Sequence, residues 1–161
     1  MAIQTIGIPR GLLWHRYGTL WKTFLETLGF EVVLSPRTDR AIFELGRTYS
    51  TDEVCLASQV YLGHVASLIG KCDAVLVPCF ESRNVRAGFC TKYQSLPDMV
   101  RATFKDEPVA FVTLHVPDAH DKKHASRAYI DFAASKLGAP VSQAVKAWKA
   151  AQKAQANLDK E

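Results

Sequence analysis

"DAVLVPC", Asp73 to Cys79, is a nearly unbroken apolar run that ends in a proline and a cysteine. A strand with one wet face alternates apolar and polar residues, whereas a strand covered on both faces has no need to. The run therefore reads as the middle strand of a parallel sheet with helices on either side. Its neighbours fit that place. "TIGIP" (5–9) is a short β-branched run closed by Pro9 and Gly11, "FEVVLS" (30–35) is stopped by Pro36, and "PVAFVTLHV" (108–116) is a fourth strand.

Helical patterns fill the intervals. Leu13, Tyr17, Leu20, Trp21, Phe24 and Leu28 recur at helical spacing ahead of Gly29. Thr38 or Asp39 can cap a helix reaching about Arg47. Residues 51–70 read as a helix begun by Thr51 or Asp52, with Val54, Tyr61, Val65, Leu68 and Ile69 on one face and Gly70 at its end. "SLPDMVRATF" (95–104) offers Ser95 as a cap and Pro97 in the first turn. His124 to Leu137 is helical, and a last helix starts at Val141. The last one carries only a narrow stripe, Val141, Val145, Trp148 and Ala151, and is free to project from the body or dock on a partner.

Strands alternating with helices imply βαβ units, and right-handed crossovers then give the strand order 2-1-3-4. The expected fold is α/β: a Rossmann- or flavodoxin-like three-layer sandwich, with a four-stranded parallel sheet, helices on both faces and a C-terminal helix. The expected division is a lobe over residues 1–139 and a C-terminal helix over 140–161.

Bulk properties narrow the function classes. With 48% hydrophobic and 22% charged residues, the chain is ordinary for a globular domain. The start, MAIQTIGIPRG, lacks a basic segment followed by a long apolar run, so no signal peptide is expected. No apolar stretch approaches the roughly 18 residues that span a bilayer, so a membrane partner is not expected and the location expected is the cytoplasm. Cysteines there are reduced thiols or metal ligands rather than disulfides. The net charge of +4 is uneven, with Lys122, Lys123, Lys146, Lys149 and Lys153 in the last quarter. That pattern attracts anions such as the phosphates of a nucleotide or of CoA, and it is equally the pattern of a solvated helix face. No basic block is interleaved with aromatics, which argues against nucleic acid.

Ligands of an open parallel α/β sheet bind outside the carboxyl ends of its strands. Arg10, Arg37, Cys79 and His115 fall at or just beyond strand ends, and Cys90 falls in the loop after the third strand. Cys55, in the expected first turn of the helix entering that strand, faces the same edge. Cys72 precedes the strand and lies at the opposite end, where it reads as a small packed thiol. Three thiolates on one rim suit a soft metal, an iron–sulfur cluster or zinc. The spacing itself is weak support, because no C-x-x-C occurs and three unliganded thiols fit it as well. Arg10 and Arg37 could each hold an anion or pair with a carboxylate such as Asp52 or Glu53. His64 reads as a packed or surface histidine. His115, His120 and His124 read as part of a solvated loop rather than as zinc ligands, and "GIPRGLL" is not a G-x-G-x-x-G phosphate loop.

Taken together, "IGIPRGLLWHRYGTLWKTFLETLGFEVVLSP", "DEVCLASQVYLGHV" and "FCTKYQSLPDMV" resemble the DUF2229-type module of acyl-CoA dehydratase activase-related proteins, in the 2-hydroxyacyl-CoA dehydratase-related superfamily. The likeness runs from about Ile3 to Phe104. It implies one Rossmann-like lobe of a two-lobed protein. It also implies a [4Fe–4S] cluster held by cysteines in a cleft between lobes and an ATP-dependent activator that supplies an electron. An acyl-CoA thioester is the substrate in catalytic members. Cys55 matches the cysteine of D-E-x-C-L, and Cys90 the cysteine ahead of L-P-D-M. The prolines usual after each motif are replaced by Ala57 and Thr91. Cys79 stands where the relatives are expected to have another residue, often arginine. It can replace a ligand supplied elsewhere by a second lobe; alternatively a partner chain or second copy supplies that ligand, or the cluster is lost. The expected function is a [4Fe–4S] redox or electron-relay module with Cys55, Cys79 and Cys90 as metal ligands. The alternatives are a cluster-free regulatory or subunit-binding domain and a dimeric acyl-CoA dehydratase-like enzyme.

Overall fold

A computed structural model of the chain describes residues 2–81, 90–117 and 122–160. Its elements run β1 (Thr5–Ile8), α1 (Trp14–Thr27), β2 (Glu31–Leu34), α2 (Arg40–Thr48), α3 (Leu56–Ala66), β3 (Ala74–Glu81), α4 (Lys92–Thr103), β4 (Ala110–Pro117), α5 (Lys122–Leu137) and α6 (Val141–Leu158). All strand pairs are parallel, in the order β2-β1-β3-β4. The expected fold class and strand order are therefore found.

The period-2 alternation of β3 splits the core in two. Ala74, Leu76 and Phe80 join Ile6, Ile8 and Leu114 under α1, α5 and α6. Val75 and Val77 turn the other way and pack with Leu62, Val65, Leu96 and Val100 of α3 and α4. α2 lies outside the sandwich and packs on α3. The two helices cross at glycines: a Cβ on Gly46 would fall on the Gln59 carbonyl oxygen, and one on Gly63 on that of Ile42.

α6 does not project. Ala144, Ala147, Trp148 and Ala151 are buried in the core beneath it. Trp148 stacks on Tyr129 at 4.4 Å, and the Tyr129 hydroxyl accepts from Trp21 Nε1 at 2.8 Å. The sequence stripe missed this because alanines carry the contact; Val141, its expected first member, is 58% exposed.

Two helix starts differ from expectation. Thr51 to Val54 form a separate turn, because the buried Gln59 side chain donates to the carbonyls of Thr51 (3.1 Å) and Val54 (2.9 Å). Cys55 is consequently the N-cap of α3 rather than part of its first turn. α4 begins at Lys92, and Ser95 is not its cap: its hydroxyl reaches back to the carbonyls of Thr91 and Lys92. Pro97 thus lies inside α4, where it cannot supply the backbone N–H of a helical hydrogen bond.

Candidate functional site

The carboxyl edge of the sheet carries two clusters. The first joins the α3 and α4 N-termini. Cys55 is exposed, and Lys92, the first residue of α4, donates from Nζ to its Sγ at 2.8 Å. The Ser58 hydroxyl lies 3.3 Å from the same sulfur. Lys92, and then Ser58, favour the thiolate and bring Cys55 down to about 7. The ammonium is held above the ordinary lysine range, chiefly by its bond to Cys55, and it also feels the nearby Cys90. Cys90 is exposed just before α4. One lysine therefore bonds the accessible Cys55 thiol and also feels Cys90, two residues before it in the chain.

Cys79 does not share that exposure. β3 continues two residues past it to Glu81, so Cys79 does not close the strand as expected; it pairs with His115 inside the sheet. The alternation turns it toward α4, where it is 5% exposed and its Sγ donates to the Gln94 carbonyl at 3.3 Å. Among the described residues, no group of three or more His, Cys, Asp or Glu stands close enough to hold a metal ion. As a test of fit for an iron–sulfur cluster, Cys55 and Cys90 are accessible thiols suited to ligation, and Cys79 in this arrangement is not. Cys72 lies at the far end, bonded to the Leu68 carbonyl and packed beside Gly7; burial raises its thiol. His120 lies outside the described residues.

The second cluster lies at the ends of β1 and β2. His64 is fully buried, with Nδ1 2.9 Å from Ser35 Oγ and Nε2 2.9 Å from Thr38 Oγ1. Ser35 Oγ also accepts the Arg10 backbone N–H at 2.8 Å. The network ties the loops after both strands to α3. Arg37 is exposed on the same edge, and Arg10 is half-buried. Sequence reading put His64 among packed or surface histidines; its two hydroxyl partners, 26 and 29 residues away, carried no local signal.

Burial and the Arg10 charge hold His64 down at about 4, against 6.5 for a free histidine. Between these values the unfolded chain binds a proton that the folded chain refuses, so folding stability falls as pH falls through that window. The loss should total about 3 kcal/mol at most and level off below pH 4. Urea unfolding of wild type and His64→Gln from pH 7 to 4 measures it, and the variant should lack this component.

The chain is an open parallel α/β fold with two exposed thiols, Cys55 and Cys90, beside the starts of α3 and α4. The chain belongs to the DUF2229 family, described as the CoA enzyme activase uncharacterised domain, whose profile matches residues 5–161. The match includes α5 and α6, beyond the stretch on which the resemblance rested. No curated protein and no solved structure matches. No helix among the described residues is long and apolar enough to cross a membrane.

Proposed function

We propose that this chain is an iron–sulfur electron-relay lobe serving CoA enzyme activase chemistry, with Cys55 and Cys90 as thiolate ligands of a [4Fe–4S] cluster. The carrying observation is Lys92, bonded to Cys55 at 2.8 Å and close enough to Cys90 to feel its charge. A lysine there favours the Cys55 thiolate and offsets part of the negative charge that a thiolate-bound cluster brings. When bound, such a cluster takes up and passes on one electron. The chain's own contribution is to hold two ligands on helix starts fixed by the core, at an edge open to a partner.

Two thiolates leave positions for a second lobe, which a second copy or a dehydratase-related subunit would supply. An ATP-dependent activator is the electron donor this reading expects, and acyl-CoA chemistry belongs to the completed assembly rather than to this lobe. Strictly anaerobic purification with iron–sulfide reconstitution tests the reading. Brown protein containing iron and acid-labile sulfide in equal amounts is expected. Colourless protein without iron after reconstitution would overturn it and leave a subunit-binding lobe.

A further inference from the structure

We infer that Cys55 and Lys92 are joined by a covalent S–O–N bridge when the metal-free chain meets dioxygen, which makes the pair an oxidative modification site. Lys92 Nζ lies 2.8 Å from Cys55 Sγ. Sulfur is larger than oxygen, so a hydrogen bond to it is ordinarily longer than the roughly 2.9–3.0 Å of an N–H···O bond. A nitrogen this close to sulfur stands at about the span of two atoms joined through a single oxygen. Inserting that oxygen asks little movement of either side chain.

The fold sets up the approach. The two residues are 37 apart in sequence and meet because Cys55 caps α3 and Lys92 opens α4. Both helix starts are tied to one core, through Tyr61, Leu62 and Val65 of α3 and Leu96 and Val100 of α4. The Gln59 side chain fastens the turn ahead of Cys55. Lys92 is half-buried, which narrows its rotamers, and makes no ion pair with a carboxylate among the described residues, so the sulfur is its counter-charge. Cys55 is exposed, so a small oxidant reaches the sulfur from solvent.

The step balances with dioxygen as the oxidant. Thiolate and ammonium enter; one S–O and one N–O bond form while the O–O bond and two N–H bonds break, and the second oxygen leaves as water with both hydrogens. Sulfur and nitrogen each give up two electrons, and dioxygen takes all four. A dithiol such as dithiothreitol returns those electrons and frees thiol, amine and water. The iron–sulfur reading adds a consequence that rests on that reading alone: the bridge withdraws Cys55 from ligation, so air closes the cluster site until a reductant reopens it.

The test holds the metal-free full chain in air-saturated and in anaerobic buffer and compares intact mass and tryptic peptides. In air, the chain should gain one oxygen and lose two hydrogens, with the Cys55 peptide joined to the one carrying Lys92, no cleavage after Lys92, and full reversal by dithiothreitol. Lys92→Arg keeps the cation but lacks the primary amine and should give no joined peptide, whereas Cys90→Ser should still give it. An unchanged wild-type mass in air would show a hydrogen-bonded pair only and overturn the bridge. Loss of two hydrogens with Cys55 joined to Cys90, or oxygen retained on an unlinked Cys55, would overturn it as well. Iron and sulfide uptake by the bridged chain, before and after dithiothreitol, separates the two readings: a bridge that forms on a chain taking up no iron in either state would sink the cluster and leave the modification.

Discussion

Gly63→Ala should destabilise the fold by more than about 3 kcal/mol, a large share of the roughly 5–15 kcal/mol that holds a typical domain together. The sign makes the prediction sharp. At an open helical position, replacing glycine by alanine stabilises by about 1 kcal/mol. At Gly63 the added methyl would fall on the carbonyl oxygen of Ile42, and backbone cannot swing aside as a side chain can. α2 must lift off α3, its main partner in the fold. His64, the next residue, would lose its register with Ser35 and Thr38. Urea unfolding followed by circular dichroism gives the number, and Gly46→Ala should behave alike. A neutral or stabilising result at Gly63 would mean that α2 and α3 do not cross as described.

Lys92→Met should raise the Cys55 thiol from about 7 toward the ordinary value of 9. Its alkylation by iodoacetamide at pH 7 should slow by roughly tenfold or more, because the thiolate is the reacting form. The methionine keeps length and apolar bulk while removing the charge and the donor. Measured on metal-free protein from pH 5 to 10, the wild-type rate should rise around pH 7 and the variant's at a clearly higher pH, short of the ordinary thiol value because Ser58 still favours the thiolate. Ser58→Ala should shift the profile in the same direction by less, since Lys92 is the larger cause. Coincident profiles for wild type and Lys92→Met would show that the lysine does not poise the thiol.

The sheet was legible because its pattern is local. The apolar run at 73–79 and the punctuation by Pro9, Gly29 and Pro36 mark the strands and the end of α1 without long-range information, whereas α3 stops at Ala66, four residues before Gly70, the end its sequence pattern suggests. What escaped the sequence depends on contacts across the chain. α6 packs through alanines, which leave little mark in a hydrophobic stripe. Gln59 fastens the 51–54 turn, and so decides that Cys55 is a cap, by bonding carbonyls five and eight residues back. The edge on which Cys55 and Cys90 lie followed from the rule for parallel sheets. Their link through Lys92 did not, because a lysine two residues after a cysteine is unremarkable until the α3 and α4 starts are seen together. Cys79 misled because the end of the apolar run is not the end of the strand. Arg10 was legible as a strand-end cation, but its unpaired Nε shows only in three dimensions.

The most direct test of the central claim is iron and acid-labile sulfide per chain after strictly anaerobic purification and reconstitution of Cys55→Ser, Cys90→Ser, Cys79→Ser and Cys72→Ser beside the wild type. Iron and sulfide should be lost with Cys55 or Cys90 and kept without Cys79 or Cys72. Iron retained in the absence of both Cys55 and Cys90, or lost as completely with Cys79 as with either, would contradict it.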